Sequence, residues 1–362
     1  MARKNAVLIV MAFVVATLVG CKKSPDEIFA EEKSGVVLIC NEYYYDITLA
    51  NGNHIYFTGL DGDGDFTGLT SDREEVTRNP AILNGTGFFI DQTGRILTNR
   101  HVVTPGIDKP TVRRNVNAII NLYAAYIEML QDSMSQRYDA IQEYANGTVT
   151  YDEWGNAYTS LSGEDIQSLS QELDNLKQQY AYAENVKEEV RSNILSDNFT
   201  IQLHSQFGIA YDGDNVNSWS DFMKTPCELL RASSDADTDL ALLQLKSKST
   251  PQGRYVFEID EEKAYKTDKM KINQPLYMIG YNYGVALAKT NKGIKAQFTS
   301  GTLTQLPDGN RITYSIPAKQ GSSGSPVVDD DGRLVAVNFA GSDGSDNFNF
   351  GIPMLRVLTF LK

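Results

Sequence analysis

Short strand-like runs on either side of one long helical stretch predict an all-β protein of two sheets, with an antiparallel α-helical hairpin inserted into the first. Three observations carry this. Runs rich in Val, Ile, Tyr and Phe, bounded by Gly, Asn, Asp and Ser, recur from Ser34 to Ile90 and again from Phe199 to Phe339. Between them the apolar period changes from two to a heptad. The stretch Ser249-Thr250-Pro251-Gln252-Gly253 then reads as a link between two sheets. The division that follows is a leader at 1–20, a linker at 21–34, a first sheet domain from 35–112 and 198–249, the helical insertion at 113–197, and a second sheet domain at 250–362.

With 362 residues, 41% of them hydrophobic, the chain can bury one large or two ordinary cores. Its formal charge of -13 argues against a general nucleic-acid binder, because neutralising phosphates needs a basic face. Arg113-Arg114 reads as a solvated helix start.

Arg3 and Lys4 precede an uncharged apolar run, Ala6 to Val19, after which Lys22-Lys23-Ser24-Pro25-Asp26-Glu27 is abruptly polar. The run is too short for a comfortable permanent span and suits a signal-peptide core. Its ending, Leu18-Val19-Gly20-Cys21, resembles a bacterial lipobox, in which the cysteine becomes the lipidated first residue of the mature protein. Removing residues 1–20 takes away two positive charges and no negative ones, so the mature charge is -13 - 2 = -15. The expectation is an exported lipoprotein of the bacterial cell envelope with a membrane anchor at Cys21. Lys22 does not resemble the aspartate that retains some lipoproteins at the inner membrane, which favours the outer one. Cys40 and Cys227 then remain, and the sequence leaves open whether they pair or stay as buried free thiols.

Ser34–Ile39 and Asn41–Leu49 read as strands, with a turn at Asn51-Gly52-Asn53 leading into Ile55-Tyr56-Phe57. Asp61-Gly62-Asp63-Gly64-Asp65 spaces carboxylates as a calcium loop does. Phe66 stands where the sharp-turn glycine belongs, however, and Asp72 replaces the closing glutamate, so a solvated turn is the better reading. No metal or cofactor is expected. The heptad seam of the insertion runs through Val116, Ile120, Tyr123, Ile127, Leu130, Met134, Ile141 and Tyr144, broken at Arg137. Its return seam runs through Ile166, Leu169, Leu173, Leu176, Tyr180, Ala183, Val190 and Ile194, broken at Lys187 and opened by the cap Ser162-Gly163-Glu164-Asp165. Joined at a tip hairpin around Trp154-Gly155-Asn156, these predict a coiled-coil-like arm roughly 45 Å long. Two facing seams already bury each other, so a partner-binding arm, a lid, a membrane spacer and a self-contained decoration all stay open.

Three segments carry candidate chemistry. In Gly321-Ser322-Ser323-Gly324-Ser325-Pro326 a serine sits among glycines that let backbone N–H groups approach a ligand. Those of Gly321 and Ser323 could form an oxyanion hole while the Ser323 hydroxyl attacks a carbonyl. Taken alone the segment reads equally as a flexible Gly/Ser linker. His101 follows the hairpin Gly85–Thr98 in a loop position suited to a cleft, whereas His54 and His204 read as exposed surface histidines. In Ala236-Asp237-Thr238-Asp239-Leu240-Ala241-Leu242-Leu243, Asp239 is the last polar residue before a buried run, placed to accept a hydrogen bond from a histidine. Asp235 and Asp237 read as solvated turn residues.

Together, Thr98-Asn99-Arg100-His101-Val102-Val103, Asp239-Leu240-Ala241-Leu242-Leu243 and Gly321-Ser322-Ser323-Gly324-Ser325-Pro326 resemble the three signatures of trypsin-like serine peptidases of the Deg and glutamyl endopeptidase branches, in that family's order. The resemblance covers about residues 35–112 and 198–362 and implies a chymotrypsin-like double β-barrel. It implies a catalytic triad of His101 as general base and acid, Asp239 as its orienting carboxylate, and Ser323 as nucleophile. It also places Pro317, Asn338, Phe339, Ala340 and Gly341 along a substrate pocket, and Asn338 stands where glutamyl endopeptidases carry a histidine, against glutamate specificity. Asp343 and Asp346 read as solvated loop acids. Ser322 replaces the aspartate of digestive-type members, so activation by a newly cut N-terminus is not expected. About 40 residues follow Ser323, too few for a peptide-binding PDZ module. The leading expectation is a lipid-anchored serine endopeptidase acting on protein or peptide substrates. The alternatives are a surface scaffold that binds through the arm and carries a vestigial site, and a Deg-like quality-control chaperone.

Overall fold

The computed structural model describes residues 23–235, 238–259, 261, 269–341 and 348–362. Cys21, the expected lipidation site, and Asp237, Asp343 and Asp346 lie outside the described residues. Among the described residues no helix is long and apolar enough to cross a membrane.

The first barrel is built from β1 (Val36–Thr48), β2 (Ala81–Phe89), β3 (Arg95–Thr98), β4 (Gln202–Tyr211), β5 (Pro226–Ala232) and β6 (Ala241–Leu245), and a seventh strand of the same sheet, His54–Phe57, pairs with the end of β1. Its hydrogen-bonded order is β1-β2-β3-β6-β5-β4, and β4 returns to β1, so these strands close into a barrel. The second comprises β7 (Pro275–Gly280), β8 (Gln297–Gln305), β9 (Ile312–Tyr314), β10 (Pro326–Val328), β11 (Leu334–Gly341) and β12 (Asn349–Pro353). It closes in the order β7-β8-β9-β12-β11-β10, with Tyr277 opposite Val328 and Met278 opposite Val327 completing the circle. Strand for strand the two orders are the same. This is the double β-barrel expected, with a helical hairpin inserted between β3 and β4.

Why these runs become strands is visible in β1. Val37 and Ile39 enter one core with Phe89, Ile96, Val103, Ile209 and Leu243. Val36, Leu38 and Cys40 point the other way, into a core shared with Phe88, Leu97, Ile279, Tyr281, Val328 and Val337. Both faces are covered, so the run is apolar throughout rather than alternating, and each fully buried aliphatic side chain contributes about 1.5–3 kcal/mol. The second barrel is filled by Leu276, Met278, Leu303, Ile312, Tyr314, Val327 and Val335. Helix α1 (Pro25–Glu32) starts on a Ser24 capping box with Glu27 and buries Ile28 in the shared core.

Several boundaries differ from the sequence reading. The two strands expected at 34–49 are one thirteen-residue strand, because Cys40 and Asn41 are buried and in register with Asn84 and Leu83 instead of forming a break. The runs at 294–299 and 301–305 likewise join as β8, whose Gly301 lies against the backbone of Ser315 and Ile316. Cys40 and Cys227 are both free and buried, and burial pushes each thiol up to about 12. Asp61 accepts from the N–H groups of Asp63 and Asp65 in a solvent-facing turn.

The chain separates into two compact units: the first holds residues through Tyr43, Ala81–Gly106 and from Ser205 on, the second Tyr44–Pro80 and Ile107–His204. The second unit contains the arm. The one-turn helix α2 (Arg100–Val103) precedes it, and α3 (Lys109–Gly147) and α4 (Gly163–Ser192) form its antiparallel pair. At 39 residues α3 is roughly 58 Å long, and it begins four residues before the expected insertion boundary at 113. Ser162 caps α4 through a capping box with Asp165. Of the expected seam residues, Val116, Ile120, Ile127, Ile141 and Ala183 are buried, whereas Tyr123, Leu130, Tyr144, Ile166, Tyr180 and Ile194 are exposed. At the breaks Arg137 meets Glu172 at 2.9 Å, and Lys187 donates to Gln131 Oε1 at 3.0 Å. His54 and His204 are not simply solvated. His54 Nδ1 lies 2.7 Å from Asp46 Oδ1 and His204 Nε2 lies 3.4 Å from Asp46 Oδ2, each half-exposed ring drawn to one buried carboxylate.

Candidate active site

His101 lies in α2, a single helical turn held at both ends by buried asparagines. At its start the Asn99 side chain donates to the carbonyl of Asp239 at 2.7 Å. At its end Asn41 Nδ2 donates to the carbonyls of Val102 and Val103, at 3.0 and 3.3 Å, which pairs groups that a helix terminus leaves open. Asp239 enters just before β6, whose Ala241 is in register with Thr98 of β3. That pairing brings two residues far apart in sequence together: His101 Nδ1 is 2.5 Å from Asp239 Oδ2, and the His101 N–H donates to Asp239 Oδ1 at 2.9 Å. Asp239 is mostly buried and the His101 ring is half exposed.

Ser323 belongs to the turn before β10. Of the residues from Gly321 to Asp329, it alone is not buried; Ser322 and Ser325 lie inside. The turn is strapped to the strand leading toward His101. The N–H of Thr86 donates to the Ser323 carbonyl at 2.8 Å, and the Thr86 hydroxyl donates to the Gly321 carbonyl at 2.7 Å while accepting from Tyr281 N–H at 3.1 Å. Thr98, three residues before His101, donates its hydroxyl to the Thr86 carbonyl at 2.7 Å. Gly321 and Gly324 take φ of +94° and +87°, and a Cβ on either would fall within 2.5 Å of backbone atoms, Tyr281 O and Gly284 N for one and Thr86 O for the other. These two positions therefore require glycine on both conformational and steric grounds.

The backbone N–H groups of the turn divide sharply. Those of Ser322, Gly324 and Ser325 donate to Lys319 O, Asn338 O and Ser322 O. Among the described residues nothing accepts from the N–H of Gly321 or of Ser323. Two donors at alternate positions beside a partly exposed serine suit a developing oxyanion. The structure thus joins His101 to Asp239 directly and joins the Ser323 turn to the same strands. Among the described residues His101 and Ser323 share no side-chain hydrogen bond; between a general base and its nucleophile such a bond tightens on substrate binding.

Of the expected pocket residues, Asn338 turns inward. It is 1% exposed, and its amide donates to Ser322 O at 3.0 Å and accepts from Tyr314 Oη at 2.8 Å, so it has nothing left to offer a substrate side chain. Pro317 is exposed, and Phe339 is half buried with its ring 6.3 Å from that of Phe350. A bulge between Asn338 and Ala340 lets Asn338 face inward while Ala340 and Gly341 pair with Phe350 and Asn349. Thr86, Thr98, Asn41 and Tyr314 were not singled out from the sequence. An isolated threonine or tyrosine inside an apolar strand is an ordinary sequence feature, and only the pairing shows what each hydroxyl meets.

Two antiparallel barrels of one strand order, a His–Asp pair on the first and a partly exposed serine on a strapped turn of the second, resemble the arrangement of the trypsin-like serine peptidase class. The family model described as a trypsin-like peptidase domain matches residues 187–337; the matched span includes Asp239 and Ser323, and His101 precedes it. The chain is also similar to the pro-apoptotic serine protease of the yeast Debaryomyces hansenii, 31% identical over 134 residues that make up 34% of this chain and 12% of that protein. Among solved structures it resembles the serine endoprotease from Yersinia pestis at a TM-score of 0.43 and 14% identity, over 94% of this chain and 66% of that one.

Proposed function

We propose that the protein is a serine endopeptidase that cleaves peptide bonds through an acyl-enzyme on Ser323. The observation that carries this reading is the two-point grip of Asp239 on His101, at 2.5 and 2.9 Å. A proton on Nδ1 held by Asp239 leaves Nε2 free to take the proton of the attacking hydroxyl and to return it to the leaving amine. As the Ser323 oxygen bonds to the substrate carbonyl carbon, the π electrons move to the carbonyl oxygen, where the N–H groups of Gly321 and Ser323 receive the charge. Water, activated by the same imidazole, then releases the acyl group. Attachment to the cell envelope through a lipid on Cys21 is part of the proposal and rests on the sequence Leu18-Val19-Gly20-Cys21.

The test is labelling of the chain from Lys22 onward with a fluorophosphonate, read by intact mass, beside Ser323→Ala. The reading expects one adduct on the parent and none on the variant. A folded parent that takes no label would overturn it. A second reading, partner capture by the arm, is favoured by one feature: Ile119, Leu122, Tyr123, Tyr126 and Met129 form an exposed apolar stripe along α3. Deleting residues 113–197 separates the two, since hydrolysis should survive the deletion and capture should not.

A further inference from the structure

The two unpaired N–H groups beside Ser323 do not point where they do by default. In a trans peptide the C=O and the following N–H lie in one plane and point in opposite directions, so fixing the oxygen fixes the hydrogen. The peptide that carries the Ser323 N–H also carries the Ser322 carbonyl. That carbonyl accepts from Asn338 Nδ2 at 3.0 Å and from Ser325 N–H at 3.0 Å. The peptide that carries the Gly321 N–H is held in the same way, through Gln320 O and the N–H of Tyr283.

One hold is main chain to main chain, but the other depends on a side chain. Asn338 Nδ2 has two hydrogens, one directed to Ser322 O and one to Ser322 Oγ at 3.2 Å, while Asn338 Oδ1 accepts from Tyr314 Oη at 2.8 Å. The amide cannot be turned the other way round, because Ser322 O can only accept and would then face another oxygen. Tyr314 is fully buried, and its hydroxyl also lies 3.0 Å from the carbonyl of Phe350. The backbone of Asn338 adds two further bonds to the same turn, accepting from Gly324 N–H at 2.8 Å and donating to Ser325 O at 2.9 Å. A single residue thus grips the turn at positions 322, 324 and 325.

We infer that Asn338, oriented by Tyr314, is the positioning residue of the oxyanion hole, holding the Ser323 N–H toward the reacting carbonyl from beneath the turn. This rests on the serine-peptidase reading. It touches neither substrate nor reacting atoms, so its loss should slow the chemical step and leave ground-state binding alone.

The probe is p-nitrophenyl acetate, whose pre-steady-state burst reports acylation with little demand on the specificity pocket. In the full chain, Asn338→Ala should lower the acylation rate constant at least about tenfold, a part of the roughly hundredfold or greater loss typical of deleting an oxyanion donor. Tyr314→Phe, which keeps the ring in the core and removes only the hydroxyl, should lower it in the same direction by about threefold. In both, the substrate dissociation constant from the burst should stay at the parental value, a split that general loosening of the barrel would not produce. Should Asn338→Ala fail to fold, Tyr314→Phe decides alone. Folded variants that acylate at the parental rate, or that lose binding and rate together, overturn the inference while the peptidase reading stands. A folded parent with no burst, matching Ser323→Ala, removes that reading and this inference with it.

Discussion

Asp239 spends both carboxylate oxygens on His101, one on the ring Nδ1 and one on the backbone N–H. The ring contact selects a tautomer. The backbone contact fixes the helical turn that carries the ring, so orientation does not depend on the imidazole alone.

Replacing Asp239 with Asn should therefore damage catalysis more than stability. An amide can still accept from the His101 N–H through its oxygen, but its NH2 group then faces Nδ1 and drives the ring proton to Nε2, the wrong side for a general base. Turnover of a peptide or ester substrate should fall by at least about a thousandfold. The melting temperature should move only slightly. A variant that retained a tenth of the parental rate would remove Asp239 from the proposed triad.

Thr86→Val tests the strap between the strand and the serine turn. The substitution keeps shape and removes a buried hydroxyl that donates to Gly321 O and accepts from Tyr281 N–H. Each buried group left unpaired costs about 1–3 kcal/mol. Urea denaturation should show a loss in that range or up to twice it, with an unchanged slope, and the acylation burst should slow. A midpoint equal to the parent's would mean the strap contributes nothing.

Glu32 makes stability depend on pH. Its carboxyl is fully buried against the Asp329–Arg333 turn, neither oxygen is hydrogen-bonded among the described residues, and burial raises it from the usual carboxylate range to about 8. The folded chain then keeps a proton that the unfolded chain has lost. Between about pH 4.5 and 8 the unfolded state binds fewer protons, so this group's contribution to stability falls as pH rises, and levels off above 8. Glu32→Gln abolishes the titration. Relative to the parent, the variant should gain stability steadily from pH 5 to pH 8.5, by an amount on the order of a few kcal/mol. A difference that stays flat across that range would contradict the burial argument.

Neither described cysteine should react while the protein is folded. Cys40 and Cys227 are buried, and at about 12 their thiols hold essentially no thiolate at neutral pH. Ellman's reagent should be silent with the native chain from Lys22 onward, which lacks Cys21, and read both thiols in guanidinium. Fast reaction of the native protein would show that one of the two strands opens.

What was legible from sequence was whatever is local in the chain. The two helices of the arm, the Ser162 cap and the Asn51–Asn53 turn depend on neighbours within a few residues, and periodicity or turn chemistry reports them directly. The exposure of Tyr123, Leu130, Ile166 and Tyr180, by contrast, shows that the period alone overstated what the two helices bury against each other. The glycines at 321 and 324 were also legible, since a positive φ leaves its mark on residue type.

Only the tertiary structure decided which groups meet. That Cys40 and Cys227 stay unpaired, that His54 and His204 share Asp46, and that Asn338 faces the underside of the serine turn are consequences of strand register, between residues 8 apart for His54 and Asp46 and far more distant for the others. Barrel closure sets that register, and shifting a strand by one residue turns every side chain to the other face. The sequence by itself thus determined which chemistry the chain carries. The closed barrels decided which of its polar atoms are already paired and which two N–H groups, those of Gly321 and Ser323, have no acceptor among the described residues.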